Sequence, residues 1–197
     1  SVSKASGIVE EMVHAVNERV REVEGMAALR TLAESLNQPE ILTPARCLLL
    51  SVDGVGSIEG SEKPERAYTL HLCNDYVILT GTKPGKTPWD PERVKCYGAA
   101  PLATSAIETI ALDAETRTLR VALPPSTTAA SSSSSKPTTT HTEPKTYLLL
   151  LPTREAEECF ITLESARERD AASRIVLDKA QKLRERRTDT EEEAVTA

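Results

Sequence analysis

Between Gly7 and Leu36, apolar side chains return every third or fourth residue: Val9, Val13, Val16, Val20, Val23 and Ala27. That spacing gathers them on one face of an α-helix. Ser6 is placed to cap the helix, with Glu10 and Glu11 in its favourable first turn. Gly25 is a soft point, and Asn37, Pro39 and Pro44 end the pattern. A helix of about 30 residues exceeds the usual length in globular proteins. Its apolar face needs a partner, and the remaining chain offers no obvious one. The sequence opens at Ser1 rather than Met, so the expectation is a piece of a longer protein.

The 197 residues suit one ordinary domain with something attached. The 24 Lys and Arg against 30 Asp and Glu leave a charge of -6, which argues against a dedicated nucleic-acid binder. No apolar run reaches the roughly 20 residues of a membrane span. With one Phe, one Trp and four Tyr, the core must be filled by Leu, Val, Ile and Ala. Cys47, Cys73, Cys96 and Cys159 form no CxxC pair, and three of them sit in apolar stretches, so they read as buried free thiols of a reducing, cytoplasmic compartment. His14, His71 and His141 share no ligand spacing, and no metal or cofactor is expected.

After Pro44 the pattern changes to short strands. Arg46–Val52 is apolar, and Asp53-Gly54 with Gly56 marks a turn or bulge. Within Ala67–Gly81, Tyr68, Leu70 and Leu72, then Tyr76 and Ile78, alternate around Asn74-Asp75. That predicts two strands with a tight turn, or a strand pair with a bulge. Thr82–Glu92 is a proline-rich loop. Val94–Tyr97, Ala106–Leu112, Thr118–Leu123 and Tyr147–Leu151 are further strands, with a hairpin at Asp113–Thr116. Residues 124–144, with five consecutive serines, read as a disordered insertion. Its hydroxyls are phosphorylation candidates, although such tracts are commonly inert spacers. From Thr153, a cap, the helical period returns with Ala156, Phe160, Leu163 and Ala166 on one face. A weaker stripe through Ile175, Val176, Leu177, Ala180 and Leu183 continues to about Arg187, and residues 188–197 form an acidic tail.

Two glycine patterns carry no nucleotide chemistry. Gly54, Gly56 and Gly60 are one residue too widely spaced for a dinucleotide fingerprint, and no helix pattern follows. Gly81 to Thr87 resembles a phosphate loop but is one residue short, and Pro88 and Pro91 prevent the helix that would hold phosphate. No nucleophile stands beside a base, so the chain does not read as an enzyme.

Two segments, in order, carry a family resemblance. Val16-Asn17-Glu18-Arg19-Val20-Arg21-Glu22-Val23-Glu24 resembles the end of the last helix of Dbl-homology (DH) domains. Leu70-His71-Leu72-Cys73-Asn74-Asp75-Tyr76-Val77-Ile78-Leu79 resembles the strand pair of the pleckstrin-homology (PH) domain that follows it. Their separation suits that tandem, and the whole is similar to Rho-family guanine nucleotide exchange factors. Within that family, the spacing of Arg46–Leu79 resembles that of the Pebble-type cytokinetic members. The resemblance implies an α+β fold: a PH-like, seven-stranded antiparallel sandwich or barrel, plugged by a C-terminal helix and preceded by a long helix. It divides the chain into residues 1–38 as the last DH helix, 45–168 as the PH domain, 169–187 as a helical extension, and the tail. It also supplies the missing partner, namely DH helices absent from this chain.

The resemblance places Asn17 where the family contacts a GTPase switch region; an amide that donates and accepts suits a backbone segment being remodelled. An ordinary solvated Asn is the alternative. The family's closing helix usually carries a Trp, but Trp89 lies in a loop here, so Phe160, beside Cys159, is expected to fill the plug. Lipid-binding members gather bases at the first hairpin loop. Lys63 and Arg66 share that loop with Asp53, Glu59, Glu62 and Glu65, while Lys83, Lys86, Arg93 and Lys95 offer a second basic edge. High-affinity phosphoinositide binding is therefore not expected. The implied function is a regulatory PH module that positions or restrains an exchange surface for a Rho-family GTPase, recruited to plasma membrane or cortex. The alternatives are a membrane adaptor using Lys63, Arg66, Lys83 and Lys86, and a structural interaction module whose Asp170–Arg187 extension docks a protein partner or autoinhibits exchange.

Overall fold

The computed structural model describes residues 2–62, 64–83, 93–111, 115–124 and 145–196. A 35-residue helix, α1 (Val2–Leu36), leads into strands β1 (Leu48–Ile58), β2 (Arg66–Cys73), β3 (Tyr76–Lys83) and β4 (Arg93–Pro101). Strands β5 (Ala106–Ala111), β6 (Thr116–Leu123) and β7 (Lys145–Pro152) follow, then helix α2 (Thr153–Thr196). The strands form one antiparallel sheet in the order β4-β3-β2-β1-β7-β6-β5. This is the α+β, PH-like architecture with flanking helices.

β1 is the strand on which the sheet folds over. It pairs with β2 through Leu48–Gly56 and with β7 through Val55–Ile58. At the crossover two strands approach closely: a Cβ on Gly56 would collide with the Leu148 carbonyl, and one on Gly54 would lie 2.6 Å from Leu151 Cδ2. Asp53-Gly54 and Gly56 therefore mark close approach within a continuous strand, not a turn. The turn comes later, at Gly60 with φ +74°. The predicted start at Arg46 is also displaced, since the strand begins at Leu48.

Alternate residues of the strands (Leu70, Leu72, Val77, Leu79, Leu119, Val121, Leu149, Leu151) fill the space between the two halves of the folded sheet. At roughly 1.5–3 kcal/mol for each large side chain buried, this layer dominates the favourable side of folding. α2 closes one end with Ala156, Cys159, Leu163 and Ala166, all fully buried. Phe160 does not plug the sandwich: it is 37% exposed at the rim, and Cys159, one residue round the helix, takes the inward place. A second, smaller core lies on the outer face of the sheet, where Leu29 and Ala33 of α1 cover Ile41, Cys73 and Ile78. That cover explains why Val77, Ile78 and Leu79 are all buried although they alternate between faces.

α1 begins at Val2, so Ser6 lies inside it and its hydroxyl donates to Glu10 at 3.3 Å instead of capping. The helix passes through Gly25 unbroken, because Gly25 is where α1 crosses β1 and a Cβ would strike the Leu48 carbonyl. The C-terminus is a Schellman turn: Asn37 has φ +52°, and the Asn37 and Gln38 amides donate to Glu34 and Ala33. Asn74-Asp75 joins β2 to β3 as expected. α2 contains no Gly or Pro after Thr153, so the helix runs on through the acidic tail to Thr196. The hairpin tip at 112–114, the loop at 84–92 and the insertion at 125–144 fall outside the described residues.

Candidate functional site: the projecting helix and the tyrosine cavity

Only the last third of α1 packs on the sandwich. Counting about 3.6 residues per turn, Leu29 stands roughly 200° round the helix from Val9, and Ala33 the same from Val13. The helix therefore carries two apolar faces on opposite sides, exchanging near Gly25. The first, Val9, Val13, Val16, Val20 and Val23, spaced four, three, four and three residues apart, is a seam of the kind that receives another helix. With Ile8 and Met12 it stays 48–62% exposed along its whole length. It points away from the sheet, so no small swing of α1 would bury it against this chain.

Asn17 is exposed on the flank of that seam, between residues held by short-range ion pairs. Arg21 donates to Glu18 at 2.9 Å and Arg19 to Glu22 at 2.7 Å, pairs that hold the helix surface in order and contribute about 0.2–0.5 kcal/mol each. An exposed side-chain amide both donates and accepts hydrogen bonds, as a backbone segment does.

A cavity lies at the end of the sandwich opposite α2. Ile58, Pro64, Arg66, Tyr68, Lys95, Tyr97, Lys145 and Tyr147 surround its volume of about 370 Å³. Its floor is a set of tyrosines in edge-to-face contact, with ring centroids 5.1 and 5.8 Å apart. The Tyr147 hydroxyl donates to the Tyr97 carbonyl at 3.1 Å, and burial, then the neighbouring Tyr68, push its pKa up to about 12. Three bases rim this cavity, and no carboxylate is among its lining residues that are described.

Of the four bases expected at a lipid site, only Arg66 is placed there. Lys63 and Lys86 fall outside the described residues, and Lys83 is the last residue of β3, paired through its backbone with Arg93. Lys95 lines the cavity with its ammonium 5.5 Å from the Tyr97 ring. Lys145 was not anticipated; its only sequence signal is a base opening the strand after the serine tract. Two acids expected to oppose an anion are engaged elsewhere. Asp53 accepts from Thr69 at 2.6 Å on the outer face, and Glu59 pairs with Arg120 at 3.0 Å.

Burial disfavours the thiolate at each cysteine. All four cysteines are free, and burial pushes Cys73 up to about 12 and Cys159 to about 11, with Cys47 and Cys96 also raised.

No protein-family model matches the sequence, and no curated protein matches it. Among solved structures, the chain is similar to the DH/PH domains of PDZ-RhoGEF in complex with GTP-gamma-S activated RhoA, with TM-score 0.53 and 15% identity over 82% of this chain and 44% of that one. It is also similar to the DH/PH domains of p115-RhoGEF (TM-score 0.48, 16% identity, 84% and 47% covered). A third likeness is to the PDZ-RhoGEF DH/PH fragment in complex with human RhoA (TM-score 0.46, 17% identity, 80% and 42% covered). The first of these likenesses shows the fold: a PH-like sandwich carrying a long helix before it and another after it. The chain spans less than half the length of the structures it matches.

Proposed function

We propose that this chain is the PH module of a Rho-family guanine nucleotide exchange factor, with the last helix of the exchange domain fused to its front. The observation that carries the reading is the valine seam of α1, exposed and directed away from the sandwich. An exchange domain's other helices are the partner such a seam fits, and the solved relative of like fold was captured with RhoA. In this reading the sandwich orients an exchange surface, and Asn17 reaches the switch region of the GTPase. Exchange follows from binding the nucleotide-free GTPase better than the loaded one. The narrower Pebble-type affinity rests on the spacing of Arg46–Leu79 alone.

The chain by itself holds one helix of that surface, so it is expected to release no nucleotide from a Rho protein. Joined to the helices that cover its seam, it is expected to accelerate release, and Asn17→Ala should lower that rate by tenfold or more, about 1.4 kcal/mol. Acceleration by the isolated chain, or full activity of the Asn17→Ala protein, would count against the reading.

The cavity opposite α2 supports a second reading, in which Arg66, Lys95 and Lys145 hold an anionic headgroup. Replacing all three by Gln should abolish co-sedimentation with vesicles containing phosphoinositide at low salt. Equal sedimentation of the triple variant would exclude this cavity as the site.

A further inference from the structure

The segment between Leu36 and Leu48 joins the projecting helix to the sheet, and a buried base is fastened at its end. Arg46 is 9% exposed. Its Nε and Nη2 donate to the two oxygens of Asp75 at 2.7 and 2.9 Å, and its Nη1 to the Ile41 carbonyl at 2.8 Å. The guanidinium lies 4.0 Å over the Tyr76 ring. Asn74 fastens the residues on either side: its Oδ1 accepts from the Cys47 amide at 3.0 Å, and its Nδ2 donates to the Ala45 carbonyl at 2.8 Å. The turn itself is held by the sheet, since the Asp75 carbonyl accepts from the Leu102 amide at 3.0 Å.

We propose that the Arg46–Asp75 pair is an orienting clamp, a fork that fixes the direction in which α1 leaves the sandwich. The apolar contacts of Leu29 and Ala33, with the partly buried Leu32 and Leu36, hold the last third of α1 down, but burial is non-directional and leaves the projecting two thirds free to pivot about it. From Gly25 to Val2 the rod is about 35 Å long, so a swing of about 10° carries its tip about 6 Å. Two parallel charge-assisted bonds to one carboxylate, with the third bond to the Ile41 carbonyl, fix the short linker that leaves α1 and so resist that rotation, as a single ammonium contact would not. The strand turn at Asn74–Tyr76 thereby sets where a helix seated on the valine seam lies relative to the sheet. Arg46 and Asp75 are positioning residues in this role. The clamp is a property of this chain alone, so its test is separate from the exchange-factor reading.

The test is a distance distribution measured by pulsed electron resonance between two copper(II) sites. Glu10→His completes a double-histidine site with His14 on α1; Leu148→His with Leu150→His makes one on the outer face of β7. The parent should give one narrow peak. Arg46→Met, which keeps the bulk and removes the fork, should lose that narrow peak to a broad distribution while the sandwich still melts cooperatively. Arg46→Lys should fall between the two, and Arg117→Met, which breaks the ion pair to Glu157 on the sandwich, should leave the peak unchanged. A narrow, unshifted peak in Arg46→Met, or a broad one in the parent, overturns the proposal. If Arg46→Met does not fold, Asp75→Asn is read by the same criterion; failure of both to fold would make the pair a requirement of folding and likewise overturn the orienting role.

Discussion

His71 shows how much one side chain's surroundings decide. Its Nδ1 lies 2.8 Å from the Ser51 hydroxyl and its Nε2 2.9 Å from the Thr80 hydroxyl, on the outer face of the sheet. Burial lowers its pKa from 6.5 to about 4, only partly opposed by the charge of Asp53. The folded protein therefore binds fewer protons at this site than the unfolded chain, and stability is lost as pH falls from about 6.5 towards about 4. The loss amounts to roughly 3 kcal/mol at the acid end and vanishes above neutrality. Urea unfolding of the parent and of His71→Gln between pH 7.5 and 4.5 checks this: the difference should stay flat above pH 7 and turn against the parent below 6, because the other titrating groups are common to both. Gly25 offers a steric counterpart. Gly25→Ala must push the Leu48 backbone, whereas Gly7→Ala meets nothing within 4 Å. The first should destabilise by about 1–3 kcal/mol, and the second should stabilise by up to about 1 kcal/mol, as Ala replaces Gly in an exposed helix. Thermal melts of the two variants separate these outcomes.

Among the elements, α2 is two things in one helix. Its first turns are a plug, with Ala156, Cys159, Leu163 and Ala166 facing inward. Leu163→Ala should cost about 2–5 kcal/mol in chemical denaturation, the usual loss for a buried leucine. Phe160→Ala should cost less than Leu163→Ala despite the larger side chain, since Phe160 is at the rim. The period of Ala156, Leu163 and Ala166 was legible in the sequence. The choice between Cys159 and Phe160 was not, because adjacent residues differ by about 100° and a helix may turn that far and keep most of its stripe. The glycines of β1 illustrate the same gap. Gly in a strand-rich sequence equally marks a turn or a close crossing, and only the neighbouring Leu148 and Leu151 of β7, almost a hundred residues away, decided for a crossing.

For the molecule as a whole, the first turns of α2 and the last third of α1 complete the cores of the sandwich, and the rest of each helix reaches beyond it. Beyond Asp170, α2 exposes Ile175, Val176 and Leu177 at 57–68%. Removing residues 171–197 should therefore leave the cooperative melting transition of the sandwich in place, within about 0.5 kcal/mol. A collapse of the transition would show that the extension is part of the fold. By contrast, Val13→Glu with Val20→Glu on α1 should leave the melt unchanged and abolish capture of any helical partner supplied in trans, because the seam is exposed along its whole length among the described residues.

What the sequence determined by itself was local: the 3.6 period of both helices, the strands and the Asn74-Asp75 hairpin, and an apolar seam with no obvious partner in the remaining chain. Those follow from the geometry of the backbone, which repeats over a few residues and leaves its mark in their order. The tertiary structure decided which side of α1 is covered, that Arg46 is a buried tie and not the first residue of a strand, and that Arg66, Lys95 and Lys145 meet round one cavity. Each of these joins residues far apart in the chain, and such meetings are settled by the burial free energy of the whole sandwich, to which no short window of sequence has access.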